Sequence, residues 1–175
     1  MNAVALAVEE YLKTNYEPDR EYVDGCLVER NVGTQLHSFL QAIITGYLLQ
    51  LEKGYRFKVA TEARLAISSN PPKYRIPDVI AVMIPYERGR IVTDVPLLTV
   101  EIKSPDDSFD DILEKCFEYE ALGVRNIFVI DPDNERSYLF KNSGLLKVDG
   151  LVIDLPSGEK IPFPIADMFV RMKED

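Results

Sequence analysis

The sequence contains few of the residues that build disulfide frameworks or zinc sites. Its 175 residues include two cysteines, Cys26 and Cys116, and a single histidine, His37. The cysteines lie far apart and form no Cys-x-x-Cys pattern, so these three residues match no recognised zinc spacing. We therefore expect both cysteines to be free thiols that pack as small apolar side chains in a reducing compartment.

The chain also lacks a long apolar segment. No apolar run approaches the roughly 18 residues that a membrane-spanning helix needs. The apolar stretch 3–8 has no basic residues before it and runs directly into Glu9 and Glu10, which is typical of a helix start and not of a secretion signal. The sequence therefore predicts a cytoplasmic protein with no membrane contact.

The chain has fewer basic than acidic residues. Lys and Arg total 20 against 29 Asp and Glu, which gives a net charge of -9. This balance excludes a protein that coats duplex DNA through a globally basic surface. Any contact with nucleic acid must then be local, and we expect it to be assisted by a metal ion.

The length and the overall composition favour one folded domain. A chain of 175 residues is close to the usual size of a single domain and can bury roughly two-thirds of its unfolded surface. Hydrophobic residues make up 46% and charged residues 28%, which excludes disorder and a coiled coil for the whole chain. We expect a single domain over residues 1–175, with its core at approximately 10–170.

Hydrophobic periodicity predicts alternating helices and strands in an α/β domain with a mixed sheet. The predicted helices are residues 3–13, 34–52 and 108–122, with a helical turn near 165–168. The predicted strands are 55–60, 63–67, 78–84, 97–103, 126–131, 137–140, 145–148 and 151–154. The Asp24-Gly25 pair predicts a hairpin within residues 20–29. Strand 97–103, helix 108–122 and strand 126–131 predict a parallel crossover.

Strand 97–103 carries charged residues within an apolar pattern. Because side chains alternate across a strand, Glu101 and Lys103 should share the face opposite the apolar residues. Asp78 begins another apolar strand, 23 residues earlier. Two carboxylates and a lysine at the ends of neighbouring strands suit a Mg²⁺ ion and a phosphodiester.

The order Pro77-Asp78, then Glu101-Ile102-Lys103, resembles the PD-(D/E)-x-K signature of restriction-endonuclease-like nucleases. Further segments resemble the Uma-two family of this superfamily, and the similarity spans roughly residues 10–170. These segments are residues 21–25, 61–64, 101–107, 114–119, 123–124 and 128–132. The resemblance implies a restriction-endonuclease-like mixed sheet flanked by helices, with an N-terminal helix and hairpin and short antiparallel C-terminal strands.

The same resemblance implies roles for individual residues. Asp78 and Glu101 would be ligands of Mg²⁺ or Mn²⁺, and Lys103 would be the catalytic lysine. Three further residues match recurrent positions of the family and would be auxiliary: Glu62, His37 and Lys115. The implied activity is endonucleolytic hydrolysis of DNA, and the implied assembly is a homodimer.

Simpler interpretations of these residues remain open. Glu101 and Lys103 could form an ion pair on a solvated face, and His37 could be a histidine at the edge of the core. Glu62 could be a surface residue, and Lys115 could pair with Asp111 one helical turn away. Two further functions are also open: a non-enzymatic interaction module on a nuclease-like fold, and a metal-dependent phosphoesterase for a small molecule.

The acidity of the chain leaves one route to a DNA-binding surface. Two subunits could build a local basic groove from a set of lysines and arginines in the first half of the chain. These residues are Lys53, Arg56, Lys58, Arg64, Lys73 and Arg75.

Overall fold

A six-stranded mixed sheet with helices on both faces forms the centre of the computed structural model, which describes residues 6–31 and 33–173. The helices are α1 (Val8–Lys13), α2 (Gln35–Tyr55), α3 (Phe109–Leu122) and α4 (Ile165–Met172). The strands are β1 (Glu21–Val23), β2 (Cys26–Val28), β3 (Phe57–Thr61), β4 (Leu65–Ser69), β5 (Pro72–Arg75), β6 (Val79–Met83), β7 (Leu98–Ile102), β8 (Asn126–Asp131), β9 (Arg136–Lys141), β10 (Gly144–Val148), β11 (Leu151–Asp154) and β12 (Lys160–Phe163).

The strand order of the main sheet is β10-β9-β8-β7-β6-β3. Strands β7 and β8 are parallel and α3 connects them, which confirms the predicted crossover. The other neighbouring pairs in this sheet are antiparallel. A four-stranded sheet, β2-β1-β5-β4, and a two-stranded sheet, β11-β12, complete the described fold.

The two faces of the main sheet bury different helices, because side chains on each strand alternate between the faces. On one face Val79, Val100 and Phe128 pack with α2 and α4. On the other face Ile80 and Val129 pack with α3. The fold is therefore a mixed α/β arrangement with one sheet between two helical layers, as the sequence predicts.

Side chains at the helix ends explain where the two long helices begin and end. The Thr34 hydroxyl accepts a hydrogen bond from the His37 amide at the start of α2. The Ser108 hydroxyl accepts one from the Asp111 amide at the start of α3, and Gly123 ends that helix with φ of 104°. Helix α2 continues past Gly54 and ends at Tyr55, with Arg56 as its C-cap. The strand predicted from residue 55 therefore begins two residues later, at Phe57.

The predicted hairpin is confirmed, with Asp24 and Gly25 both at positive φ. Two strands were not predicted, β5 and β12, and each contains proline. Pro72 is the first residue of β5, and Pro162 lies in a two-stranded sheet in which both strands are edges, two positions that tolerate proline. The helix predicted over 3–13 begins at Val8, because Ala7 has an extended backbone, so the predicted start is wrong at residues 6 and 7; residues 1–5 lie outside the described part of the chain.

Cys116 is buried, Cys26 is half-buried, and both are free thiols, as predicted. Within residues 6–31 and 33–173, no helix has the length and apolar character needed to cross a membrane.

Candidate active site

A cavity of about 300 Å³ lies where β6 begins and β7 ends, beneath the loop that joins β2 to α2. Strands, helices and this loop all contribute charged side chains to its wall. These include Glu21, Arg30, His37, Asp78, Glu101 and Lys115. Asp78 and Glu101, the two residues that the sequence motif singles out, both line this cavity.

Asp78 immediately precedes β6, and its side chain is almost fully buried. Its Oδ1 accepts a hydrogen bond from Arg30 Nη2 at 2.9 Å, and its Oδ2 accepts one from the Ile102 amide at 2.7 Å. His37 Nε2 lies 3.3 Å from the same Oδ2. Burial disfavours the charged form, but the hydrogen bonds and the nearby cations outweigh it and hold the pKa of Asp78 below its ordinary value.

His37 reaches Asp78 from the first turn of α2, where the backbone comes very close to its ring. A Cβ atom at Gly33 would lie 2.8 Å from His37 Nδ1, so this position leaves no room for a side chain. Burial alone would lower the pKa of His37, but its hydrogen bond and attraction to Asp78 raise that pKa overall. His37 is thus a partner of a cavity carboxylate and not only a residue of the apolar stripe of α2.

Glu101 points from β7 towards α3, on the opposite face of the sheet from Val100. Its Oε1 accepts a hydrogen bond from the Tyr119 hydroxyl at 2.6 Å, and its Oε2 lies 3.4 Å from Lys115 Nζ. Burial raises the pKa of Glu101 to about 7: the attraction of Lys115 opposes this rise and the charge of Asp78 adds to it.

Lys115 lies between two buried carboxylates and does not form the predicted solvated pair with Asp111. Its Nζ is 3.1 Å from Glu21 Oε1 and 3.4 Å from Glu101 Oε2. Burial disfavours the ammonium, but the two carboxylates outweigh that effect and raise the pKa of Lys115. The side chain therefore stays protonated, so it supplies a fixed positive charge and not a general base.

Lys103 and Glu62 are not among the residues that line the cavity. The Lys103 ammonium donates to the Ser104 carbonyl at 3.0 Å and lies 5.8 Å from the centre of the Phe109 ring. Glu62 is half-exposed, and its Oε2 is 3.7 Å from Arg30 Nη1.

Sequence reasoning did not single out Arg30 or Glu21 as site residues. Glu21 is 2% exposed, and its carboxylate accepts from Arg75 Nη1 at 2.9 Å and from the Ile76 amide at 3.2 Å. The sequence signal for Glu21 was its position in a short predicted strand beside apolar residues, where a charged side chain is unusual. Arg30 carried no comparable local signal.

Most of the residues proposed for a basic groove are already paired within the chain. Lys58 pairs with Glu52, Arg64 with Asp19, and Lys73 and Arg75 with Glu118. The positive charge of these four side chains is therefore largely neutralised, which weakens the expectation of a basic groove built from them.

The donor chemistry of the cavity fits a hard divalent cation that keeps water ligands. Among the residues that the structure describes, no three His, Cys, Asp or Glu side chains converge on one metal position. Asp78 and Glu101 nevertheless offer two carboxylates to the same cavity. Mg²⁺ is commonly held by one or two carboxylates, with water and substrate oxygens as its other ligands, so the chemistry of this set is compatible with Mg²⁺ or Mn²⁺.

Comparison with solved structures identifies the class of fold. The chain superposes with a TM-score of 0.80 on a crystal structure described as "a putative nuclease belonging to DUF820 from Anabaena variabilis". The two sequences are 22% identical, and the match covers 95% of this chain and 99% of the other. The fold is therefore that of this nuclease-like protein.

Comparison with family models identifies the family. The Uma2 (Uma-two) model, described as "Putative restriction endonuclease", matches residues 8–158. The chain belongs to the Uma2 family, which confirms the resemblance noted in its sequence. No curated protein has significant sequence similarity to the chain.

Replacement of Glu101 by glutamine should make stability less dependent on pH. The folded pKa of Glu101 is about 7, above the ordinary pKa of a glutamate in an unfolded chain, so the folded state binds this proton more tightly. The wild type therefore loses stability as pH rises through the window between these two pKa values. We expect the free energy of unfolding of Glu101→Gln, relative to wild type, to increase by about 1–3 kcal/mol from pH 5 to pH 8.

Urea denaturation at both pH values measures this difference. Glu159→Gln, which changes an exposed glutamate, is the matched control and should show no such increase. A stability difference for Glu101→Gln that stays constant between pH 5 and pH 8 would contradict the raised pKa.

Proposed function

We propose that this protein is a metal-dependent endonuclease that hydrolyses DNA phosphodiester bonds in the cavity described above. The observation that carries this proposal is the pair of buried carboxylates, Asp78 and Glu101, in one cavity with the cation Lys115. Burying such charges is costly, and a protein that only needed stability would gain little from them. Membership of the Uma2 family supports a nuclease as the general function.

In this proposal Asp78 and Glu101 hold Mg²⁺ or Mn²⁺ through their carboxylate oxygens. A bound divalent ion would polarise the phosphate and lower the pKa of a water molecule that attacks it. The low pKa of Asp78 keeps this ligand ionised. The pKa of Glu101, about 7, means that metal binding competes with a proton at this residue.

Two lysines are candidates for the cation that stabilises the negative charge of the reacting phosphate. The sequence motif favours Lys103, whereas the geometry favours Lys115, which lines the cavity 3.4 Å from Glu101. Glu21 and Glu101 hold Lys115 in a defined position, as electrostatic catalysis requires. We propose Lys115 for this role, with His37 and Glu62 as auxiliary residues that act through Asp78 and Arg30.

DNA is the proposed partner, and family resemblance supports a homodimer. A second subunit would extend the surface available to DNA without changing the sign of the net charge. Because the carboxylates of the cavity repel phosphate, metal binding must make this surface attractive before DNA can occupy it.

Cleavage of plasmid DNA tests the proposed activity and separates the two lysines. We expect wild type to cleave in Mg²⁺ or Mn²⁺ and not in EDTA. Asp78→Asn and Lys115→Met should each lower the rate by about 100-fold or more, because each removes a charge from the reacting centre. Lys103→Met, the matched control for a lysine, should lower it less than about tenfold, because its ammonium lies outside the cavity.

Thermal denaturation of each variant shows whether it is folded. Loss of cleavage in Lys103→Met with full activity in Lys115→Met would reverse the assignment of the lysine. Cleavage by Asp78→Asn at the wild-type rate would refute the active site itself. Metal binding without cleavage of DNA would favour the phosphoesterase or the interaction module.

DNA binding should depend on the metal and only weakly on salt. Each neutralised phosphate contributes about 0.9 to the slope of log K against log salt, and we expect a slope no steeper than about −3. Titrations of a DNA duplex in Ca²⁺ and in EDTA, each at several salt concentrations, measure both effects. Tight binding in EDTA with a steep slope would show that a basic surface dominates instead.

A further inference from the structure

Arg30 is a partly buried arginine in the wall of the cavity. It follows β2 and precedes α2, and its side chain is 15% exposed. Nη2 lies 2.9 Å from Asp78 Oδ1, and Nη1 lies 3.7 Å from Glu62 Oε2. The guanidinium therefore joins a buried carboxylate to one at the surface.

We propose that Arg30 compensates the charge of Asp78 until a divalent cation replaces it, and then binds the phosphate of the substrate. This inference rests on the proposed nuclease function and adds a residue to that same site. The substrate group that Arg30 would recognise is the anionic oxygen pair of a phosphodiester, which a guanidinium contacts through two parallel hydrogen bonds.

The partners of Asp78 show which of its atoms is available to a metal. Oδ2 is occupied by the Ile102 amide, with His37 Nε2 also close to it. Oδ1 accepts from Arg30 alone among the described residues. A divalent cation at Oδ1 would stand within a few ångströms of the guanidinium, and two cations at that distance in a buried site repel each other strongly. Metal binding should therefore release Arg30 from Asp78.

The other cavity cations are held more firmly than Arg30. Arg75 forms hydrogen bonds with Glu21, Glu114 and Glu118, and Lys115 lies between two buried carboxylates. Once released from Asp78, Arg30 would retain, among the described residues, only the longer contact with Glu62, whose side chain is 52% exposed. A metal bound to Glu101 would also compete with Lys115, but Lys115 would keep its shorter contact of 3.1 Å with the buried Glu21. Arg30 would lose the shorter of its two contacts.

The neighbouring residue keeps the base of the Arg30 side chain beside the cavity. Asn31 Nδ2 donates to Asp107 Oδ1 at 2.6 Å, and Asp107 Oδ2 accepts from the Ser104 amide at 2.7 Å. The loop after β2 is thus tied to the segment between β7 and α3. A guanidinium released from Asp78 would therefore remain close to a phosphate bound in the cavity.

Calorimetric titration of Mn²⁺ without DNA tests the exchange of cations. Arg30→Gln should bind Mn²⁺ about tenfold or more tightly than wild type, because a competing positive charge is gone. Arg20→Gln makes the same change in net charge at an exposed ion pair with Glu29, and should alter Mn²⁺ affinity less than about twofold. In Ca²⁺, Arg30→Gln should also bind a DNA duplex about tenfold more weakly, whereas Arg20→Gln should not.

A second variant separates the effect of the lost charge from a folding defect in Arg30→Gln. Arg30→Lys keeps the charge, so its Mn²⁺ affinity should stay within about threefold of wild type. Unchanged or weaker Mn²⁺ binding by Arg30→Gln, with clear binding by wild type, would overturn the role of Arg30 and leave the proposed nuclease intact. An absence of Mn²⁺ binding in every variant and in wild type would overturn both. Tighter Mn²⁺ binding with unchanged DNA affinity would overturn the phosphate contact.

Discussion

The burial of two carboxylates at the end of a sheet is the constraint on which the arrangement of this protein depends. Asp78 and Glu101 are 4% and 5% exposed, and uncompensated burial of either charge would cost far more than a small domain can tolerate. Each element that packs against them therefore supplies a compensating group. The loop after β2 supplies Arg30, α2 supplies His37, and α3 supplies Lys115.

The same requirement links the small sheet to the main one. Lys115 compensates the charge of Glu101 and also forms an ion pair with Glu21, which β1 places in the wall of the cavity. Glu21 in turn pairs with Arg75 of β5, and Arg75 pairs with Glu118 of α3. This chain of alternating charges joins β1 and β5 to the crossover helix. The N-terminal hairpin is therefore part of the wall of the site, although its strands are short.

Much of the framework of the site could be predicted from sequence because its signals are local. The periodicity of α2 and α3 and the Asp24-Gly25 turn each act over a few residues, and all are confirmed. The motif also led to Asp78 and Glu101, which both line the cavity, and their role as metal ligands stays a prediction.

What could not be predicted depends on contacts between distant parts of the chain. Arg30 meets Asp78 across 48 residues, and Glu21 meets Arg75 across 54, so no local pattern reveals either pair. The position of Lys103 shows a second limit, which concerns the prediction of side-chain direction from alternation along a strand. Side-chain alternation holds within a strand, but β7 ends at Ile102, and the backbone beyond it directs the Lys103 ammonium towards Ser104 and Phe109.

The most direct test of this account is a crystal structure of the protein soaked in Mn²⁺, with the ion located by its anomalous scattering. We expect one ion bound by both Asp78 and Glu101, at metal–oxygen distances of about 2.0–2.6 Å. We also expect the Arg30 guanidinium to have left Asp78 Oδ1. A Mn²⁺ ion bound elsewhere, or a cavity that stays free of Mn²⁺ with Arg30 still paired to Asp78, would contradict it.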